Sequence, residues 1–331
     1  MQRARGPMAE RIDAFCVGET MVMVTPADGS GLRPGAACLL HGGGAESNVA
    51  AHLAVLGHHA AWAGALGVDP LGDLIVDELV SAGVDTSDVI RDPAHRTGVY
   101  FKDPSPQGTT VYYYRDASAA AAMSGQTVLA WSERRPRIVH VSGITAALSP
   151  GCLELLHRIV VDRIFGTALV SFDVNFRPSL WPDRQEAAAR LHELARASDV
   201  VFVGRDEAEV LWRTGTAEEV RALLPDVPDL VVKDGGSTVV EFSGGQVTSS
   251  RAPRVEVVEP VGAGDAFAAG WLAGVLRGLD PVRRLRLGHL VASRVLSSPS
   301  DAAVLPGESE IADMIEADPA QWPMPSPTPT R

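Results

Sequence analysis

Short apolar runs that alternate with helix-length patterns constrain this chain more than any other feature. Residues 14–17, 138–141, 169–173, 200–203 and 230–233 are nearly unbroken apolar stretches, as strands buried on both faces must be. Around them the spacing predicts helices over 45–56, 71–82, 152–161, 186–197, 217–224 and 263–276. Alternation of this kind specifies an α/β fold, a doubly wound and mostly parallel sheet covered on both faces. Ligands of such sheets lie outside the carboxyl ends of the strands. The residues that follow each apolar run are therefore the first candidates for chemistry.

Two stretches break the rhythm. Residues 19–40 and 97–115 read as extended hairpins with no helix pattern of their own, and we read them as a small β-sheet that projects as a lid or a subunit contact. The reading gives one domain over 13–312. The ends, 1–12 and the proline-dense 318–331, are expected to be disordered. A net charge of −12 argues against nucleic acid or an anionic membrane as a partner. No apolar run is long enough to span a bilayer, and none follows Arg3 and Arg5 as a signal peptide would require. Cys16, Cys38 and Cys152 are scattered and form no C-x-x-C pair, so a reduced, cytoplasmic setting is the simplest account.

The densest chemistry lies in Glu259-Pro260-Val261-Gly262-Ala263-Gly264-Asp265-Ala266-Phe267. Two glycines flank one small residue and a carboxylate follows. Phe267, Trp271 and Val275, with Leu272 and Leu276 beside them, give the next helix one apolar face. A glycine turn at a helix N-terminus offers free N–H groups backed by the helix dipole, an anion hole suited to phosphate. Asp265 in that first turn is placed to take a proton from a group attacking the phosphate. A capping Asp on an ordinary glycine turn is the plain alternative. Neither a P-loop nor the G-x-G-x-x-G dinucleotide fingerprint is present, since Phe267 stands where the third glycine belongs.

Four further constellations stand out. His41-Gly42-Gly43-Gly44-Ala45-Glu46-Ser47-Asn48 feeds a helix from a glycine-rich turn, where Asn48 either meets a hydroxyl or is a polar first-turn residue. Asp173, Asn175 and Arg177 emerge at alternate positions after a buried strand, more polar groups than a turn needs. In Tyr112-Tyr113-Tyr114-Arg115, alternation puts Tyr113 and Arg115 on one face. That face either meets a ligand or belongs to a tyrosine ladder that stabilises the hairpin. Lys233-Asp234-Gly235-Gly236 ends another strand at the edge where a nucleotide can lie. The nine histidines show no metal-ligand spacing.

Taken in order, these motifs resemble the ribokinase-like (PfkB) carbohydrate kinases, and most nearly their 2-keto-3-deoxygluconate kinases. Gly42-Gly43-Gly44-Ala45-Glu46-Ser47-Asn48 is similar to that family's sugar-side motif. Ala65-Leu66-Gly67-Val68-Asp69 with Gly72 and Gly83-Val84-Asp85 is similar to its second block, and Val261–Phe267 to its phosphoryl-transfer motif. The resemblance covers roughly residues 13–312 and implies a main α/β domain with a β lid, ATP with Mg²⁺ as donor, and a small sugar or sugar acid as acceptor. It implies Asp265 as catalytic base and Gly262, Ala263 and Gly264 as the anion hole. Gly42, Gly43, Asn48, Tyr100, Tyr113, Arg115 and Arg177 fall on sugar-side positions, with Asp301 at a late position that can reach the sugar. Asn175, Lys233 and Gly235 join Gly262 and Gly264 on the nucleotide side, and Glu207 falls where the family's N-x-x-E motif acts indirectly on the metal.

Two departures mark this chain. The N-x-x-E motif reads Gly204-Arg205-Asp206-Glu207, without its Asn, and the K-x-G-x-x-G turn reads Lys233-Asp234-Gly235-Gly236-Ser237-Thr238. The expected reaction is ATP-dependent phosphorylation of a sugar acid, 2-keto-3-deoxygluconate to its 6-phosphate, because two arginines suit a carboxylate. A kinase of a neutral sugar (fructose or ribose) or of a nucleoside is the alternative; a sugar-binding regulator or an oxidoreductase fits less well. A homo-oligomer joined through the lid is expected.

Overall fold

A computed structural model describes residues 12–105, 108–257, 261–297, 305–317 and 322. Asp301 lies outside the described residues, as do the expected disordered ends apart from Ile12 and Trp322.

Ala14–Val17 (β1) opens the main sheet. Met21–Pro26 (β2) and Cys38–Gly43 (β3) leave it as an antiparallel pair. Helix Ala45–Val55 (α1) then returns the chain to Ala60–Ala63 (β4), parallel to β1. Ala65–Gly67 (β5), helix Pro70–Ser81 (α2) and Ile90–Asp92 (β6) follow, with β5 and β6 paired. Val99–Ser105 (β7) and Gly108–Tyr114 (β8) join the earlier hairpin to make a four-stranded sheet of order β3-β2-β7-β8. Thereafter the alternation is regular. Ile138–Ser142 (β9), Gly143–Leu148 (α3), Pro150–Val160 (α4), Leu169–Asp173 (β10), Arg184–Arg196 (α5), Val200–Gly204 (β11), Arg205–Trp212 (α6), Ala217–Leu223 (α7) and Asp229–Asp234 (β12) succeed one another. Thr238–Ser243 (β13) and Gln246–Arg251 (β14) add an antiparallel edge before Ala263–Leu276 (α8), Pro281–Leu296 (α9) and Glu308–Glu316 (α10).

The main sheet runs β14-β13-β12-β11-β10-β9-β1-β4, parallel from β12 to β4. Alternate residues of each strand face opposite layers. Phe15, Val139, Phe172 and Val201 pack with Leu155, Leu191 and Val220 on one side. Cys16, Ile138, Val200 and Phe202 pack with Leu53, Trp271 and Leu287 on the other. Both faces being covered explains why these strands read as continuous apolar runs. Sharp helix starts come from side-chain caps: Asp69 accepts from the Gly72 N–H with Pro70 next in the chain, and Asp280 accepts from Arg283 ahead of Pro281.

Helix α8 corrects one expectation. Its residues from Ala266 to Gly274 are all buried, so no exposed polar face opposes the apolar stripe. It lies between α1 and α9 over the sheet, and Trp271 meets Phe202 edge to face at 5.3 Å. A side chain at Gly270 would strike the Leu287 backbone, so that glycine sets how closely α9 approaches. Helix α9 and strands β4, β13 and β14 had no counterpart in the sequence reading. Charged and histidine side chains masked α9, yet Arg286 and His289 are buried there, and Arg286 donates to the Ile315 carbonyl at 2.9 Å. Among the described residues no helix is long and apolar enough to cross a membrane, and all three cysteines are free thiols.

Candidate active site

The carboxyl ends of β10, β11 and β12, the N-terminus of α8 and the inner face of the four-stranded sheet enclose a cleft of about 840 Å³. Asp173, Asn175 and Arg177 enter from β10, Gly204, Asp206 and Glu207 from β11 and α6, and Lys233 and Gly235 from β12. This is where a parallel sheet presents its loops.

Gly262 sits in left-handed geometry (φ 82°) and starts α8, a conformation that glycine adopts at little cost. The N–H groups of residues 263–265 belong to the first turn and have no helical acceptor. Asp265 stands in that turn, and the Asn48 amide donates to its carboxylate at 2.9 Å. Burial pushes the Asp265 carboxyl up to about 7; the Asn48 bond, Lys233 and Arg177 pull against that rise, while Asp173 adds to it. The result is a carboxylate poised as a base near neutral pH.

Lys233 carries the positive charge nearest this turn. Its ammonium donates to Asp173 at 2.8 Å, and a side chain placed on Gly264 would lie 3.6 Å from it. Desolvation works against the ammonium, but Asp173, Glu207 and Asp265 outweigh it and hold the Lys233 pKa above its ordinary value. Asn175, buried and at φ 38°, turns the chain after β10 through left-handed geometry, which Asn tolerates better than most residues. Glu207 accepts from the Gly204 N–H at 2.8 Å and lies 3.6 Å from Arg177. Burial and Asp173 push its carboxyl up, against Lys233 and Arg177. Among the described residues no three His, Cys, Asp or Glu side chains converge as a metal site.

The opposite wall comes from the small sheet. Tyr100 is buried with its ring 5.7 Å from that of Tyr113. Its hydroxyl fills the space that a side chain on Gly43 would need, only 2.3 Å away. Arg115 follows β8 and lines the cleft together with Tyr113. It is buried in an ion pair with Glu19, whose other oxygen accepts from the Ser118 hydroxyl at 3.0 Å. Arg177, by contrast, is half-exposed. Gly42 does not line this cleft. Its N–H donates to Glu78, and it borders a smaller cavity of about 390 Å³ behind Asn48.

Beneath Asn48 lies a residue that the sequence reading passed over. Glu46 is fully buried, and one of its oxygens accepts from the Ser142 N–H (3.0 Å), the Ser142 hydroxyl (2.7 Å) and the Thr145 hydroxyl (2.9 Å). Its second oxygen has no partner. Gly18 makes room for the carboxyl, since a side chain there would lie 2.1 Å from it. Burial pushes Glu46 up to about 7 against those hydrogen bonds. Glu46 thus ties the first turn of α1, which carries Asn48, to the start of α3.

The cleft therefore brings together Asp265, Gly262, Ala263, Gly264, Gly43, Asn48, Tyr100, Tyr113, Arg115, Arg177, Asn175, Lys233, Gly235 and Glu207. The sequence reading missed Glu19 and Lys102 on the same wall. Glu19 follows β1 as Asp173 closes β10, and the same strand-end rule could have found it. Lys102 shares the inward alternation of Tyr100. Three of the histidines, His52, His140 and His289, are buried, and desolvation pushes each down to about 4, which keeps the imidazoles neutral.

Comparison with known proteins agrees with this geometry. The family model described as pfkB family carbohydrate kinase matches residues 11–307. The 2-dehydro-3-deoxygluconokinase of Bacillus subtilis (strain 168) is 32% identical over 321 residues, 93% of this chain and 96% of that protein. Among solved structures, the 2-dehydro-3-deoxygluconokinase of Thermotoga maritima aligns with a TM-score of 0.83 at 26% identity, over 93% of this chain and 99% of the other. A fructokinase with bound ATP from Xylella fastidiosa aligns with a TM-score of 0.79 at 26% identity, over 92% and 98%. With the doubly wound sheet, the small β-sheet over its carboxyl edge and an acid at the glycine turn, these matches establish that the chain belongs to the pfkB family of carbohydrate kinases and is a sugar kinase.

Proposed function

We propose that this kinase transfers the γ-phosphoryl group of ATP to a hydroxyl of a sugar acid, 2-keto-3-deoxygluconate becoming its 6-phosphate. The observation that carries the reading is one cleft lined by Asp265 at a glycine turn and by two arginines, Arg177 after β10 and Arg115 after β8. Asp265, held by Asn48, orients the acceptor hydroxyl and receives its proton as the oxygen bonds to phosphorus and ADP departs. The N–H groups of the 262–264 turn and the Lys233 ammonium stabilise the charge on the transferring group. Asn175 and Gly235 border the nucleotide side. Magnesium would arrive on the nucleotide's phosphates, and Glu207, which borders the cleft, would meet it through water. Bound there, the ion neutralises phosphate charge. The four-stranded sheet acts as a lid that excludes water. The cytoplasm is the setting we assign to the reaction. Exposed Leu39, Leu40, Tyr112 and Tyr114 suit that sheet to a contact with a second copy of the chain.

The relatives named for 2-dehydro-3-deoxygluconate support the acid. One observation favours the neutral-sugar alternative: Glu19 already neutralises Arg115, which leaves Arg177 as the more available cation. The test is ADP release with MgATP from a panel of sugar acids and neutral ketoses. The acid should be preferred. Arg177→Ala should cut kcat/KM for the acid on the order of 10–100-fold, the worth of a hydrogen bond to a charged group, and leave a neutral analogue nearly unchanged. Equal losses on both would assign Arg177 to the phosphates or the fold and move the neutral sugar ahead.

A further inference from the structure

We propose that the smaller cavity behind Asn48 is a regulatory site for a small, uncharged, mostly apolar molecule with one hydrogen-bonding end, and that its occupant ties the small β-sheet to the main domain and slows turnover. The effect on turnover rests on the reading of that sheet as a lid; the binding does not. At about 390 Å³ the cavity lies within the range of small-molecule sites, roughly 300–1,000 Å³. Among the described residues, Asn48 alone lines both it and the cleft. Met23 of β2 and His41 and Gly42 of β3 reach the cavity from the small sheet, and His52 of α1 and Ile75 and Leu79 of α2 reach it from the main domain. Glu78 of α2 already joins the two sets: its carboxylate accepts from the Gly42 N–H and lies 3.2 Å from His41 Nδ1. An occupant packed against both adds to that tie. A lid must move to admit substrate and release product, so the tie lowers kcat.

His52 gives the cavity its polar point. The residue is only 3% exposed, and its ring meets no hydrogen-bond partner among the described residues. Its nitrogens are nevertheless not sealed from solvent as Nε2 of His58 is, so they share the little surface that the ring keeps, on the cavity it lines. Desolvation holds the imidazole neutral, with one N–H to donate and one lone pair to accept. A carboxamide-like end answers both. An apolar side chain would fill the same place without an unpaired polar group, so packing alone does not call for histidine. Met23, Ile75 and Leu79 are buried and suit an apolar body. Among the described residues no lysine or arginine lines the cavity, whereas Asp77 and Glu78 do, so a carboxylate would meet like charge and lose its hydration without a cation to replace it.

The probes are benzamide, benzoate and toluene, which share one ring and differ at the polar end. Binding to the full chain is followed by NMR titration, and kcat by ADP release with MgATP and the best acceptor of the panel. Benzamide should bind with a Kd on the order of 1 mM, and benzoate more weakly. His52→Phe should weaken benzamide roughly 3–10-fold, the worth of one or two neutral hydrogen bonds, and leave toluene alone. Ala51→Phe, which takes up room in the cavity and keeps His52, should weaken both. Saturating benzamide should lower kcat severalfold without competing with ATP or the acceptor. Both variants should keep the unliganded kcat and need correspondingly more benzamide for the same inhibition. Benzoate bound as tightly as benzamide, an equal loss of benzamide and toluene in His52→Phe, or competition with either substrate would overturn the proposal. If one variant does not fold the other decides, and undiminished benzamide binding in it overturns the proposal. Failure to bind leaves the lid reading untouched, whereas binding with kcat unchanged overturns the proposal and counts against the lid. A wild-type preference for a neutral sugar would sink the sugar-acid reading alone, because the titrations need no acceptor.

Discussion

The two ends of the cleft are built in different ways. At the proposed phosphoryl end, the base, the anion hole and the helix start are consecutive residues, Gly262 to Asp265, at the head of a helix buried from Ala266 to Gly274. The proposed acceptor end is drawn from Gly43, Tyr100, Tyr113, Arg115 and Arg177, which reach the cleft from strands and loops far apart in the chain. There one arginine, Arg115, is held by a carboxylate 96 positions away. Chemistry that depends on backbone geometry must be written locally, because adjacent residues make the turn. Chemistry that depends on a surface can be spread, and its electrostatics appear only when the surface is assembled.

The largest effect should come from the local end. Asp265→Asn keeps an oxygen for the Asn48 amide and keeps the helix start, but the amide cannot take the acceptor's proton. Turnover should fall by roughly 10²–10⁴-fold, the usual worth of a general base, while KM for ATP moves little. The wild type should also lose activity as pH falls through about 7, where burial raises Asp265 and protonation removes the base. In the residual activity of Asp265→Asn that limb should be absent. Near-normal turnover in this variant would remove the contrast between the two ends, because the contiguous turn would then be only a helix cap.

The same contrast explains what could be read in advance. The apolar runs at 138–141, 169–173 and 200–203 correspond to strands buried on both faces, and the helix predicted over 263–276 is observed at those bounds. Strand β4 was missed because Ala60-Ala61-Trp62-Ala63 lacks β-branched residues, and α9 because its buried Arg286 and His289 look like surface residues. In the site, Asp265 and Lys233 stand at strand or helix ends where local rules reach them. Glu19 could be flagged by that rule, but its pairing with Arg115 could not, since it depends on where the small sheet comes to rest. Gly42 shows the converse: a motif placed it beside Gly43, and the pleat of β3 turns it toward the smaller cavity.

Glu46 links the two ends, and its effect should appear in stability. Its folded pKa of about 7 lies above the ordinary 4.5, so the buried charge burdens the folded state. The sign follows from linkage: Glu46 favours folding fully below pH 4.5, and that contribution is lost as pH rises through about 7. The interval corresponds to about 3 kcal/mol. Glu46→Gln cannot ionise, so its stability relative to wild type should improve steadily between pH 4.5 and 7 and level off above. Thermal or urea unfolding across that range reads the difference directly. A gap that does not change with pH would mean that Glu46 ionises as readily in the folded protein as in the unfolded chain. The scaffold joining Asn48 to α3 would then be held by hydrogen bonds to a charged carboxylate.

The smallest effect should fall on the boundary between the two ends, where this chain lacks the Asn of the related motif. Glu207 is divided there: one oxygen accepts from the Gly204 N–H and the other lies 3.6 Å from Arg177. A side chain at Gly204 would come within 2.6 Å of Asp206 and 3.1 Å of Glu207, so the two acids occupy space that an Asn would claim. If Glu207 reaches the nucleotide's magnesium through water, Glu207→Gln should raise the Mg²⁺ concentration for half-maximal rate several-fold and leave kcat at saturating Mg²⁺ nearly intact. Freed from Glu207, Arg177 should bind an acidic acceptor slightly better, by no more than the ~5-fold that an exposed ion pair is worth. The two readouts separate the ends of the cleft: a changed magnesium requirement places Glu207 with the phosphoryl machinery, and a changed KM for the acid alone places it with the acceptor wall. If neither moves while the melting temperature falls, Glu207 does no more than cap α6 through Gly204.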